Sequence, residues 1–219
     1  MTDLNILFED EWLIAINKPA GMLVHPGRDP EPDDQIALKS VRNYLGQYVY
    51  IVHRLDRPTS GVLIFTKDQD TQSKLSIMFQ NWDVKKQYYA VVPGEAPENF
   101  EVDLPVKRND DAEAMPSFTK FERISFKEPG AVAENSFSLL KVNPHTGRFH
   151  QIRRHLSWND LPIMGDYLYG DVDINNRIAE ETGIKRMMLL AESIRFTHPV
   201  TGVETEVKVE IPADFLRFK

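Results

Sequence analysis

The apolar run Val62-Leu63-Ile64-Phe65-Thr66 follows directly on a charged segment, His53-Arg54-Leu55-Asp56-Arg57-Pro58-Thr59-Ser60-Gly61. A short run with no polar alternation reads as a strand buried on both faces, and Pro58 to Gly61 reads as the turn that feeds it. The charged residues are therefore held at the mouth of a buried strand. Asp56 is flanked there in sequence by Arg54 and Arg57, whose positive charge is expected to keep its carboxylate ionised. Such a fixed anion suits a nucleophile or an electrostatic stabiliser better than a general acid. Arginine also forks phosphate oxygens and stacks on bases, so the segment is able to hold a nucleic acid and present a carboxylate to it.

The rest of the chain narrows the class. Its 219 residues suffice for one large domain with a sizeable core. It has no cysteine, which excludes a disulfide framework, a thiolate metal site and a thiol nucleophile. Met1-Thr2-Asp3-Leu4-Asn5 carries no basic stretch ahead of an apolar one, and the apolar runs fall far short of the ~18 residues of a spanning helix. A cytoplasmic protein with no membrane partner is expected. Net charge is −7, which argues against a broad nucleic-acid footprint. The acids, however, gather in Glu31 to Asp34, Glu95 to Asp103, Asp110 to Glu113 and Glu204 to Glu210, while Arg148 to Arg154 holds three Arg and one His with no acid. Positive potential confined to one cleft predicts a small, salt-sensitive footprint.

Periodicity predicts strands over Asn5 to Ile16 (with a turn at Glu9 to Glu11), Val62 to Thr66, Tyr88 to Val92, Phe118 to Phe126, Asn135 to Val142, Arg186 to Thr197 and Glu204 to Ile211. Gly21 to Pro30 reads as loop. Helices are predicted over Asp34 to Leu45, with acids at its start and Gly46 as its cap, over Asp70 to Trp82, with Leu75, Met78, Phe79 and Trp82 as its apolar stripe, and over Gly147 to Ser157. On that last helix Arg148 and Ile152 share a face, so a basic and an apolar stripe coexist. Adjacent strands without a βαβ repeat predict an α+β fold.

Several segments carry a resemblance to a known family. His53 to Gly61 resembles the catalytic-Asp motif of the RluA-type pseudouridine synthases, which isomerise uridine in structured RNA. Lys85-Lys86-Gln87-Tyr88-Tyr89-Ala90 is similar to that family's second motif, and Thr146-Gly147-Arg148-Phe149-His150-Gln151-Ile152-Arg153-Arg154-His155-Leu156 to its third. Ile6 to His25, with Asn17-Lys18-Pro19-Ala20-Gly21-Met22, and Pro162-Ile163-Met164-Gly165-Asp166 match as well, in the family's order. Leu161 departs from the His that relatives often carry before the proline.

The resemblance implies a single catalytic domain over residues 1–219, without the S4-like extension of many relatives. It implies a mixed, mostly antiparallel sheet with a few flanking helices and a central RNA-binding cleft. Asp56 becomes the catalytic aspartate, Tyr88 the active-site tyrosine that packs on the base, and Arg153 the residue that pairs with the carboxylate. Arg54 enters the space left by a flipped nucleotide, and Arg57, Arg148, Arg154 and His150 contact RNA. No cofactor and no metal are called for. Arg57-Pro58, the double arginine Arg153-Arg154 and Tyr169-Gly170-Asp171 with Asn175-Asn176-Arg177 look like the member that modifies uridine 65 of tRNA. A dual tRNA and rRNA enzyme and a large-subunit rRNA enzyme are the alternatives; DNA is not an expected partner, and a monomer is expected.

Taken alone, these residues have plainer readings. Asp56 is then a turn-capping Asp paired with Arg, and Arg148 to Arg154 a solvated basic face. Tyr88 and Tyr89 face opposite sides of a strand, one toward the core and one toward the site. His145, His150 and His155 lack the i, i+4 spacing of a zinc pair. Asp171 to Asn176 begins like a calcium loop but lacks its Gly and terminal Glu, and reads as a polar surface loop. A glycoside hydrolase needs a second carboxyl group that the motifs do not supply. A non-catalytic RNA-binding protein would keep the arginines and have no use for Asp56.

Overall fold

A computed structural model of the chain describes residues 4–26, 33–109 and 111–219. Parts of the predicted Gly21 to Pro30 loop and of the acidic segments at Glu31 to Asp34 and Asp110 to Glu113 lie outside the described residues. The chain forms two compact units, Met1–Lys86 with Ala191–Val209 and Gln87–Leu190 with Glu210–Lys219.

In the first unit, β1 (Ile6–Glu9), β2 (Leu13–Lys18), β4 (Ser60–Thr66) and β9 (Leu189–Thr197) are neighbours in that order. The short β3 (Tyr50–Ile51) pairs with β4, and β10 (Glu204–Lys208) with β9. The β1–β2 turn is set by Asp10, whose carboxylate accepts from Trp12 N–H and Leu13 N–H at 2.8 and 2.7 Å. Every residue of β4 is buried, as its unbroken apolar run predicts. The antiparallel register sets Leu13 opposite Thr66 and Lys18 opposite Gly61, so β2 ends where the His53–Gly61 segment enters β4.

Helix α1 (Ala37–Leu45) starts later than the acids suggest. Ala37 N–H and Leu38 N–H bond to the carbonyls of Leu23 and Val24, so loop backbone satisfies the donors that first-turn acids were expected to serve. Gly46 caps the other end in the left-handed conformation, its N–H on Arg42 O. Helix α2 (Gln69–Gln80) is capped by Asp68, which accepts from Thr71 N–H and Thr71 O–H. Leu75 is its buried anchor, whereas Trp82 lies past the helix end with φ +64° and stays exposed, correcting its place in the predicted stripe.

The second unit orders β5 (Lys85–Pro93), β8 (Phe137–Pro144), β7 (Phe118–Lys127) and β6 (Asn99–Asp103) as antiparallel neighbours. Strand β6 lies in the acidic stretch and was not predicted; Phe100 pairs in register with Phe121 and stacks on it, centroids 4.6 Å apart. Helices α3 (Gln151–Ser157), α4 (Val172–Thr182) and α5 (Ala213–Leu216) complete the unit. The antiparallel pairings and few helices are the α+β architecture the sequence predicts.

Two expectations need correction. Helix α3 begins four residues after Gly147, because His150 takes a left-handed conformation (φ +53°) that a helix cannot contain; Arg148 and Phe149 precede the helix and share no face of it. The polar loop expected at Asp171 to Asn176 is the first turn of α4, where the Asp171 carboxylate accepts from Ile174 N–H and caps the helix.

Candidate active site

In the first unit the Asp56 segment is fixed mostly through its backbone. Thr59 N–H bonds to Asp56 O at 3.0 Å and closes the turn at Arg57-Pro58. Leu55, Thr59 and Ser60 are buried on either side, leaving Asp56 half-buried and Arg54 exposed. Gly61 has φ +116°, and a Cβ there would stand 2.1 Å from the carbonyl oxygen of Ala191, so only glycine lets the two backbones approach.

Lys18 is the residue at this site to which sequence reasoning gave no role. Its side chain is fully buried, and Nζ donates to Pro19 O (3.0 Å), Met22 O (2.8 Å) and Arg57 O (3.1 Å). It thereby ties the Asn17 to Met22 segment to the turn carrying Asp56. Burial pushes its ammonium down to about 7, against the opposing pull of the Asp56 carboxylate. The signal in sequence was a lysine ending an apolar strand, which as readily marks an exposed strand end.

His53 opens the segment. Its Nε2 accepts from Ile64 N–H at 3.0 Å, and its ring stacks on Phe79 with centroids 4.9 Å apart. Burial, and then the charge of Lys86, push the imidazole down to about 3, so it is neutral. Arg57 points its Nε at Gly21 O (3.0 Å) and its Nη2 at Asp34 (2.7 Å), yet its side chain stays 53% exposed.

In the second unit the third motif is built around Gln151. Its amide oxygen accepts from Thr146 O–H (2.7 Å) and Arg148 N–H (3.0 Å), while its amide nitrogen donates to Phe118 O (3.1 Å) and Thr119 Oγ1 (2.9 Å). Arg153 is buried and forks Asp166, Nε to Oδ2 at 2.7 Å and Nη2 to Oδ1 at 2.9 Å. Asp166 is itself oriented by the N–H groups of Leu168 and Tyr169. Asn175 secures that turn, accepting from Gly165 N–H (2.8 Å) and donating to Asp166 O (3.1 Å). The solvated basic face of the plainer reading is therefore absent here: of the helical arginines Arg153 is in a buried ion pair, and only Arg154 reaches solvent.

Tyr88 pairs with Val142 and Tyr89 with Lys141 across β5 and β8, on opposite faces. Both are half-buried, so neither is the core residue expected of one of them. The three histidines sit apart in function: His145 lies edge-on to Phe118, His150 bonds Tyr169 O–H, and His155 is buried against Ser117, Thr119 and Leu104. Among the described residues no three His, Asp or Glu side chains are grouped to hold a metal ion. Arg148 donates to Pro116 O, and Arg154 to Tyr169 O–H and Lys107 O. Leu161, the departure from the histidine that relatives often carry, is buried.

The first unit thus carries a half-buried carboxylate on a fixed loop, and the second a half-buried tyrosine on a strand and a buried arginine fork. The family model described as RNA pseudouridylate synthase matches residues 12–158. The chain belongs to that family and is a pseudouridine synthase, an isomerase. It is 40% identical to the tRNA pseudouridine synthase C of Pasteurella multocida over 97% of this chain and 93% of that protein. It is likewise 40% identical to the tRNA pseudouridine synthase C of Haemophilus ducreyi, over 91% of this chain and 87% of that one. Among solved structures, human RNA pseudouridylate synthase domain containing 4 superposes with a TM-score of 0.73 at 26% identity, covering 98% of this chain and 91% of that one. Human RNA pseudouridylate synthase domain containing 1 shares the fold, with a TM-score of 0.78 at 23% identity over 96% of this chain and 84% of that one.

Proposed function

We propose that the RNA this enzyme acts on is tRNA, at uridine 65, with Asp56 as the reacting carboxylate. The observation that carries the substrate is the 40% identity with tRNA pseudouridine synthase C along 97% of the chain. Isomerisation breaks the bond between N1 of uracil and the anomeric carbon, turns the ring and joins C5 to the same carbon. The C5 proton leaves and N1 gains one. A carboxylate beside the anomeric carbon stabilises the positive charge that develops there, and Asp56, on a loop pinned by Lys18, supplies it. Arg153 is the counter-charge of that carboxylate, and Asp166 holds its plane. Tyr88 is the wall that keeps the cleaved base in place, and Arg54 fills the space of the flipped nucleotide. Arg57, Arg148, Arg154 and His150 contact the RNA; each is anchored by protein partners and each stays at least partly open to solvent. The enzyme acts as a monomer in the cytoplasm. Among the described residues no helix is long and apolar enough to cross a membrane.

The test is tritium release from C5-labelled uridine in tRNA and large-subunit rRNA transcripts, with the product mapped by carbodiimide-blocked reverse transcription. A stop at uridine 65 of tRNA supports the reading. Release from rRNA alone overturns the substrate and keeps the reaction class.

A further inference from the structure

Phe149 is an exposed aromatic residue held more rigidly than its position in a turn requires. A single exposed Phe is ordinary; its surroundings are not. The left-handed conformation of His150 brings its ring flat onto Phe149, centroids 3.7 Å apart and planes at 21°. His150 Nδ1 lies 2.9 Å from Tyr169 O–H, the two rings edge to face. The same hydroxyl takes a 2.8 Å bond from Arg154 Nε, and the Arg154 guanidinium lies over both Phe149 (5.5 Å) and Tyr169 (5.7 Å). Three rings and the Arg154 cation thus brace each other, with the Arg153 guanidinium also over Tyr169 at 5.0 Å, and Phe149 remains 38% exposed at the edge of the cluster. Ordering these side chains has an entropic cost, and no apolar core is gained in return.

From this arrangement we infer that Phe149 is a stacking platform for an unpaired nucleobase of the RNA substrate, braced by His150, Tyr169 and Arg154. The inference deepens the proposed function and rests on RNA being the substrate. The surrounding chemistry fits a nucleic acid: a π surface for the base, with Arg148 next to it in sequence, the Arg154 guanidinium over its ring, and Lys107 and Arg108 exposed on the segment that Arg154 holds through Lys107 O. A stack reads no base edge, so the platform adds affinity with little sequence preference.

The experiment measures RNA binding over a range of salt concentrations in the Asp56→Asn background, with a tRNA transcript as probe. Phe149→Ala should weaken binding roughly fivefold to a hundredfold, the range for losing one base–aromatic stack, with the slope of log K against log salt unchanged. Phe149→Leu should be nearly as weak as Phe149→Ala, and Phe149→Trp should bind like Phe149. Unchanged binding in Phe149→Ala overturns the platform. So does full recovery with leucine, which would make the role apolar packing, or a loss that comes with a shallower salt slope, which would make it a disturbed phosphate contact. Absence of tritium release from the wild-type enzyme would strike at the proposed function and leave the binding comparison intact.

Discussion

Asp56 and Arg153 are held by opposite means. The loop of Asp56 is positioned by backbone: a glycine that nothing larger can replace, a turn closed by Thr59 N–H, and one buried ammonium gathering three carbonyl oxygens. Arg153 stands on a helix and is positioned by side chains: the Asp166 fork, the Asn175 brace on the turn of that aspartate, and the Gln151 network at the helix start. The first arrangement depends on backbone shape and on the hydrogen bonds that Lys18 Nζ donates. The second depends on every partner being present, because a buried charge without its partner is expensive.

The comparison is broken most severely at Gly61. Gly61→Ala forces a Cβ to within 2.1 Å of Ala191 O at φ +116°, so a loss above ~4 kcal/mol is expected, seen as insoluble or unfolded protein by circular dichroism. Asp166→Asn keeps the shape of the fork and removes its charge. It should destabilise the fold by about 3 kcal/mol in urea titrations, while Asp166→Glu loses less.

Titration separates the two arrangements further. The folded-state Lys18 value of about 7 lies below its ordinary 10.5, so between these pH values the unfolded chain binds the extra proton and stability rises with pH, by up to ~1.4 kcal/mol per unit. Lys18→Met should flatten that rise. His53, at about 3 instead of 6.5, contributes stability that is lost as pH falls between those values, and His53→Gln should flatten the acid limb. The smallest effect is expected at Arg57→Ala. That side chain is 53% exposed in its pair with Asp34, so unfolding should shift by no more than ~1 kcal/mol, while the salt slope of RNA binding falls by about one.

Much of this was legible in the sequence where one physical cause dominates. The unbroken apolar run gave a strand buried on both faces, and Gly46 marked the end of α1. Helix α4 was hidden because two of its three buried positions, Asn175 and Thr182, are polar and only Ile178 is apolar. Its caps, Asp171 and Gly183, were the available signal. The start of α3 was hidden because a left-handed histidine has no compositional mark. The site motifs were visible through resemblance, but their supports were not: the partnership of Lys18 with three carbonyls and of Asp166 with Arg153 is made by tertiary folding.

The central claim is that Asp56 supplies the reacting carboxylate. Asp56→Asn should therefore be compared with wild type in single-turnover tritium release and, on the same preparation, in equilibrium RNA binding. The account predicts release reduced by at least ~10²–10³-fold, with RNA affinity changed by no more than a few-fold. Release that persists near the wild-type rate in the asparagine enzyme would contradict it.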